Sequence, residues 1–339
     1  MKVSVWYNNR DIRLEERPKP QPGPGEILVR VHSCGICGSD VVEWYRLPRA
    51  PLVQGHEIGG EVVEVGASVT KFSRGDRVFV APKVPCMKCR LCLGEHYPVC
   101  SAVKERMPGG FAQYILIPEP LVNAGTYLLP GSLSYDQSTF IEPLACVVRA
   151  QHLSSLKNGD TLLILGGGIS GLLHLKLAGS RGVRTIVTDI NPKKLDFALR
   201  MGADFVIPAE KDIPVEVERL TGRRADVAML CTSALSAVNQ AWESVDSGGA
   251  VVFFAVPGPD KTVIIPINEF WRREMRVLTS YYCGPQDIVE AMGLLERGEI
   301  LVDDMVTDRF PLRRISEGFS LVLEGKDVIK VIIRPHDEA

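Results

Sequence analysis

The chain has 339 residues, of which 45% are hydrophobic and 24% charged. These are ordinary globular proportions, and the length suggests about two domains. Lysine plus arginine number 39 against 41 aspartate plus glutamate, a net charge of −2, so charge makes no case for a nucleic acid or an anionic membrane as partner. No apolar run approaches the ~18 residues of a membrane span. The opening MKVSVWYNNRD lacks the apolar core of a signal peptide. A cytoplasmic protein is expected, with its nine cysteines serving as thiols or metal ligands rather than as a disulfide framework.

Residues 1–147 are rich in glycine, proline and short alternating segments. EILVRVHSCG places Ile27, Val29 and Val31 on one face and Arg30 and His32 on the other; EVVEVG and GDRVFVAP also read as strands. The texture changes near residue 150. TLLIL is a short apolar strand of the kind buried in parallel sheets, followed by GGGISG and a helical stretch, then the strand TIVTDI. Asn191 can cap the next helix, Pro192 suits its first position and Gly202 can end it. DFVI, ADVAMLC and GAVVFFAV continue the alternation, with SALSAVNQAWESVDSGG as one of the helices between them. This predicts an α/β fold: a mostly-β domain beside a doubly wound one. Near the end, QDIVEAMGLLERG puts Ile288, Met292 and Leu295 on one helical stripe, and GKDVIKVIIRP reads as a closing strand.

Gly166, Gly168 and Gly171 form G-x-G-x-x-G between a predicted strand and a predicted helix. The first permits a tight turn, the second lets backbone approach a pyrophosphate, and the third lets helix and strand pack closely. Ile169 and Ser170 complete the loop, where free N–H groups at the helix start attract phosphate. Alone the motif is weak, and a mere turn is the alternative. Asp189, at the end of the next strand, supplies the context: a carboxylate placed to bind both ribose hydroxyls. It favours NAD over NADP, whose extra phosphate it would repel, although Lys193 and Lys194 stand close by.

Cys86, Cys89, Cys92 and Cys100 follow the spacing C-x2-C-x2-C-x7-C. Four thiolates on tight loops suit a closed, structural Zn²⁺ site with no position left for substrate. The spacing differs from ferredoxin-type iron–sulfur runs. A four-cysteine module could also belong to a nucleic-acid-binding protein, but the charge balance offers that reading no support.

Cys37 in GICGSD, His56 and Glu57 in GHE, and Glu142 in IEPLA remain. Singly, each has an ordinary explanation: a buried thiol, a hydrogen-bonded histidine, a carboxylate at a helix start. Spacing alone does not join them.

A resemblance does. CGICGSD (34–40), GHEIGGEVVEVG (55–66), GDRV (75–78), the four-cysteine lobe, EPLAC and GGGISG stand in the order of the zinc-dependent medium-chain dehydrogenases, and the chain is similar to that family over essentially its whole length. The resemblance implies a GroES-like catalytic domain from residues 1–147, completed by 286–339, with a Rossmann domain from 148–285 between. It implies two zinc ions per chain. Cys37, His56 and Glu57 would correspond to the ligands of a catalytic zinc, with Glu142 a nearby carboxylate bound directly or through water. Ser39 would begin a proton relay, and Cys34 would be packing. EPLAC resembles the polyol and threonine dehydrogenase branch, so the expected reaction moves a hydride from a secondary alcohol, of the sorbitol type, to NAD. L-threonine or another hydroxylated metabolite is the alternative substrate, and a non-catalytic zinc and dinucleotide sensor the alternative class. A homodimer or homotetramer is implied. One departure stands out: the family often carries a histidine five residues after the cysteine, where this chain has Val42, so the proton needs another exit, such as ribose hydroxyls and water or Glu43. Trp44 and Tyr45 are candidates for pocket or core in equal measure.

Overall fold

The computed structural model describes residues 1–102 and 106–338. The chain forms two compact units, Met1–Ala145 with Cys283–Ala339, and Cys146–Tyr282.

The first unit opens with a hairpin, β1 (Lys2–Asn8) and β2 (Asp11–Glu16), turned at Asn9-Arg10. Then come β3 (Ile27–Gly35), β4 (Glu57–Val65), β5 (Arg77–Val80), β6 (Tyr114–Ile117) and β7 (Thr126–Leu128). The second unit supplies β8 (Thr161–Leu165), β9 (Arg184–Asp189), β10 (Phe205–Pro208), β11 (Ala225–Leu230), β12 (Val245–Phe253) and β13 (Arg276–Thr279). The chain then returns to the first unit with β14 (Val306–Pro311) and β15 (Lys330–Arg334).

In the first unit the strand order is β14-β15-β3-β4-β5-β7, with β6 also on β3. All these pairings are antiparallel except β14 with β15. Alternation along β3 does what the sequence implies: Ile27, Val29 and Val31 are buried with Val62, Val78, Ile115 and Ile117 in one core, while Arg30 and His32 are only partly covered. The central strand β3 is flanked by β4 and β15, with Gly35 opposite both Glu57 and Ile332. That register brings the end of β3 and the start of β4 together beside the middle of β15 at one glycine.

The second unit is a parallel sheet in the order β10-β9-β8-β11-β12-β13. Its middle strand β8 is wholly buried, which is why it reads as an unbroken apolar run. Asn191 caps the helix Pro192–Arg200 by accepting from the Lys193 N–H, and Gly202 follows the helix with φ +96°. One expectation is corrected. The helix in SALSAVNQAWESVDSGG ends at Ser244, and Val245 already belongs to β12, paired with Ala225. A fully buried β-branched valine in a ladder outweighs the helical pattern continuing through it.

The helix Ile169–Ser180 carries a fully buried histidine, His174. The Gln151 amide donates to the His174 carbonyl at 3.0 Å and lies 3.5 Å from its Nδ1. Nδ1 then accepts, and the proton sits on Nε2, which meets no acceptor among the described residues. Burial pushes the His174 pKa down to about 3. The folded value lies below the unfolded one of about 6.5, so the unfolded state binds more protons between them. The stability this neutral histidine permits is complete above about pH 6.5 and falls as the pH drops toward 3. We expect His174→Leu to flatten that slope and to raise stability at neutral pH by roughly 1–3 kcal/mol, the cost of an unmet buried donor. Urea titrations of both proteins at neutral and mildly acid pH measure it; parallel pH slopes would contradict it.

Candidate metal and dinucleotide sites

Cys86, Cys89, Cys92 and Cys100 form a cluster whose four sulfur atoms all lie within 4.8 Å of one another. Sulfur separations of 3.9 Å (Cys86–Cys92), 3.5 Å (Cys89–Cys92) and 3.8 Å (Cys89–Cys100) match the ~3.8 Å edge of a tetrahedron with ~2.3 Å Zn–S bonds. Backbone N–H groups already point at the sulfurs, from Cys89 to Cys86 at 3.3 Å and from Cys86 to Cys100 at 3.4 Å. Such donors, those of Lys88 and Cys89 first, lower the Cys86 pKa to about 6. Cys86 is therefore prepared to bind as thiolate, whereas burial and the neighbouring thiols push Cys92 up to about 12, so its proton has to be displaced on binding.

A second group unites residues from separate loops. The ligand atoms of Cys37, His56 and Glu57 all lie within 4.8 Å of one another. Cys37 stands just before the short helical turn Gly38–Val41, and its sulfur accepts from the Ser39 N–H at 3.4 Å and the Ser39 hydroxyl at 3.3 Å. His56 Nδ1 faces Asp40 Oδ1 at 3.4 Å, which leaves Nε2 available. Burial opposes charge on His56, but the Asp40 carboxylate and the Cys37 sulfur outweigh it and hold its pKa well above the ordinary value. Asp40 is fully buried; burial alone would raise its pKa, but His56 and Arg46 hold it below the usual carboxylate range. One thiol, one imidazole and one carboxylate on a partly open site form a donor set of the catalytic zinc type.

Glu57 is also tied to a residue that sequence reasoning missed. The Lys330 ammonium, fully buried, donates to Glu57 Oε2 at 2.5 Å and to the Thr139 carbonyl at 3.1 Å, and lies 4.9 Å from the Phe140 ring centroid. Lys330 reaches Glu57 across Gly35. A Cβ there would lie 2.3 Å from Glu57 Oε2 and 2.4 Å from Lys330 Nζ, so the missing side chain is the lane through which the ion pair forms. The only signal in the sequence is a lysine placed directly before the apolar run VII in the strand KVIIR.

Glu142 is buried in the first turn of the helix Ile141–Ser154 and falls outside the three-residue group. Cys34 is fully buried against the backbone at Gly55 and Gly110, a packing thiol. Glu43 accepts from the Asn9 N–H at 3.0 Å. Trp44 is 47% exposed and so not a core residue.

In the second unit Gly166 has φ +112°, a conformation L side chains avoid, and its N–H bonds Thr188 O at 2.8 Å. A Cβ on Gly171 would lie 1.9 Å from Gly166 O, whereas one on Gly168 meets nothing within 4 Å. The open side at Gly168, at the start of the helix Ile169–Ser180, is room for a pyrophosphate, so the loop fits a dinucleotide. Ile169 and Ser170 form the first turn of that helix. The Asp189 carboxylate accepts from the Gly167 N–H at 2.7 Å and the Asn191 N–H at 2.8 Å, which fixes a negative charge beside the loop.

Comparison with known proteins agrees with this geometry. Residues 23–124 match the model of the alcohol dehydrogenase GroES-like domain, and residues 170–297 that of the zinc-binding dehydrogenases. A sorbitol dehydrogenase of Bacillus subtilis (strain 168) is 32% identical over 99% of this chain and 98% of its own. A D-arabitol-phosphate dehydrogenase of Enterococcus avium is 33% identical over 94% and 92%. A solved zinc-binding dehydrogenase from Sinorhizobium meliloti 1021, bound to NADP, superposes with a TM-score of 0.87 at 30% identity, covering 98% of this chain and 99% of that one. With two family models spanning its GroES-like and dinucleotide-binding regions and relatives matched nearly end to end, the chain belongs to the zinc-binding alcohol dehydrogenase family.

Proposed function

We propose that the protein oxidises a secondary alcohol, a polyol or sugar alcohol, with NAD as hydride acceptor. The convergence of Cys37, His56 and Glu57 carries this reading; the sorbitol and arabitol-phosphate dehydrogenases among the relatives support the polyol class.

Cys37, His56 and Glu57 would hold the catalytic zinc, with Glu142 as a further carboxylate of that site, and Cys86, Cys89, Cys92 and Cys100 a structural one. When bound, zinc supplies a Lewis acid that lowers the pKa of the substrate hydroxyl, and nicotinamide supplies the acceptor for the carbinol hydride. Asp40 fixes the His56 ring through Nδ1, and Ser39 offers a hydroxyl beside Cys37. Lys330 restrains one oxygen of Glu57 and leaves the other to act. The loop Gly166, Gly168, Ile169, Ser170 and Gly171 would cradle the pyrophosphate, and Asp189 would take the ribose hydroxyls.

The nine cysteines are all free thiols, and no helix among the described residues is long and apolar enough to cross a membrane; both support a cytoplasmic location. A homodimer or homotetramer is supported by the edge strand β13. Among the described residues no strand pairs its outer edge, and Ile267 and Trp271, 72% and 75% exposed, stand beside it. A second copy can pair the same edge across a two-fold axis.

A panel of polyols, simple secondary alcohols and L-threonine, assayed with NAD and with NADP, tests the reading. We expect polyols to turn over fastest and NAD to be preferred, and Asp189→Ala to reduce that preference by about tenfold, the loss of roughly one charge-assisted hydrogen bond. Threonine outrunning every polyol would overturn the substrate class, and unchanged cofactor discrimination would overturn the role of Asp189.

A further inference from the structure

Cys37 and His56 stand on separate loops, and the turn that follows Cys37 is held by side chains rather than by a sheet. Gly38–Val41 is a short helical turn, so the carbonyls near its end lack strong partners within it. Each finds a donor from a different part of the chain. The Ser39 carbonyl accepts from Arg46 Nε at 3.0 Å, the Asp40 carbonyl from Gln54 Nε2 at 3.3 Å, and the Val41 carbonyl from Asn9 Nδ2 at 2.8 Å.

These donors are themselves anchored. Asn9 lies in the turn of the β1–β2 hairpin, and its Oδ1 accepts from the Trp6 indole N–H at 3.2 Å. Trp6 is fully buried, and its backbone exchanges two hydrogen bonds with Leu52, at 2.8 and 3.1 Å. The hairpin thus grips the chain leading to His56 with one residue and the turn after Cys37 with another. Gln54 starts from a fixed backbone, because its carbonyl accepts from the Phe111 N–H at 2.9 Å. Its side chain is buried, and Oε1 meets no donor among the described residues. The one bond its amide makes is the bond to Asp40. Asp40 in turn accepts from the Cys37 N–H at 3.1 Å through Oδ2 and faces His56 through Oδ1.

Resting on the zinc site proposed above, we propose that Asn9, Arg46 and Gln54 are positioning residues that clamp the turn after Cys37 onto the loop bearing His56, so that thiol and imidazole face one another before a metal arrives. A ligand loop ordered only by its metal subtracts the cost of ordering from the binding energy. A clamped loop does not, and its ligand returns to the metal when a bond to it breaks. The amino-terminal hairpin, which forms a sheet of its own, is the strut that carries one arm of the clamp.

The test follows zinc release from the fully loaded protein into excess pyridylazoresorcinol, with NAD reduction sampled alongside. The release phase that tracks loss of turnover belongs to the Cys37 site, and the other to the four-cysteine lobe. Gln54→Met keeps the side chain's length and removes the donor to Asp40 together with the acceptor that meets no donor, so it should leave the urea midpoint of the metal-free protein unchanged. Asn9→Asp keeps the acceptor for Trp6 and removes the donor to Val41; high salt screens the added charge. We expect each variant to speed release from the Cys37 site by about tenfold, the loss of roughly one hydrogen bond. Release from the lobe should be unchanged, and amide exchange over residues 38–42 of the metal-free protein should quicken. Asn9→Asp covers the case in which Gln54→Met does not fold. Wild-type release rates in both variants, or two phases accelerated alike with a lowered urea midpoint, would overturn the proposal. A wild-type protein that holds zinc only in the lobe would overturn the metal site on which it rests. One that loads two zinc ions and oxidises no alcohol would overturn the substrate reading, and unequal acceleration of the two phases would still decide the clamp.

Discussion

Replacing Lys330 by methionine is expected to cost about 3–5 kcal/mol of stability, because it leaves a buried carboxylate without its counter-charge. Lys330 and Glu57 are 0% and 1% exposed, so solvent screens their interaction little. Methionine nearly fills the lysine's volume, which keeps the cavity contribution small and isolates the charge. The loss belongs to Glu57, left among Gly35, Thr139 and Phe140 with nothing to balance it. Pairing Lys330→Met with Glu57→Gln should therefore restore most of the stability, since a neutral amide beside a thioether carries no unpaired charge. Urea titrations of the metal-free proteins measure both effects apart from zinc binding. A single variant within about 1 kcal/mol of wild type, the range of an exposed pair, would show that the bridge contributes little.

The same ion pair shows where the sequence stops being informative. Lys330 and Glu57 are 273 residues apart, and they meet only because β4 and β15 pair on opposite sides of β3 with Gly35 in register between them. No local pattern encodes that meeting. Arg46 escaped notice for a different reason: an arginine on a short surface helix ordinarily reads as solvated charge, and only the structure shows it folded back onto Ser39 and paired with the buried Asp40. The four-cysteine cluster and the glycine loop are the opposite case. Their chemistry lies within short stretches, so spacing alone suggests a closed tetrahedral site, and the glycine spacing taken with Asp189 on the next strand suggests a phosphate turn. Cys37, His56 and Glu57 stand between these extremes. Spacing could not join them; the family resemblance did, and the backbone then brought their ligand atoms within 4.8 Å. The parallel sheet was legible strand by strand because each buried strand is a short apolar run. Strand β2 and the edge strand β13, exposed and mixed in composition, were not.

Zinc at Cys37 and His56 is the claim on which the chemistry depends, and Cys37→Ser tests it against Cys89→Ser as control. A serine hydroxyl is a poor replacement for thiolate at zinc, so Cys37→Ser should lose one site and Cys89→Ser the other. Only the first should spare the fold, because the Cys37 site sits on strands that pack without it, whereas the four-thiolate lobe has little apolar core of its own. The most direct measurement is zinc content per chain together with NAD reduction on the best polyol. The account predicts about two zinc ions in the wild-type protein and about one in Cys37→Ser, with turnover down by at least a thousandfold and unfolding within about 1 kcal/mol of wild type. Two zinc ions retained in an inactive Cys37→Ser, or full turnover with one, would contradict it.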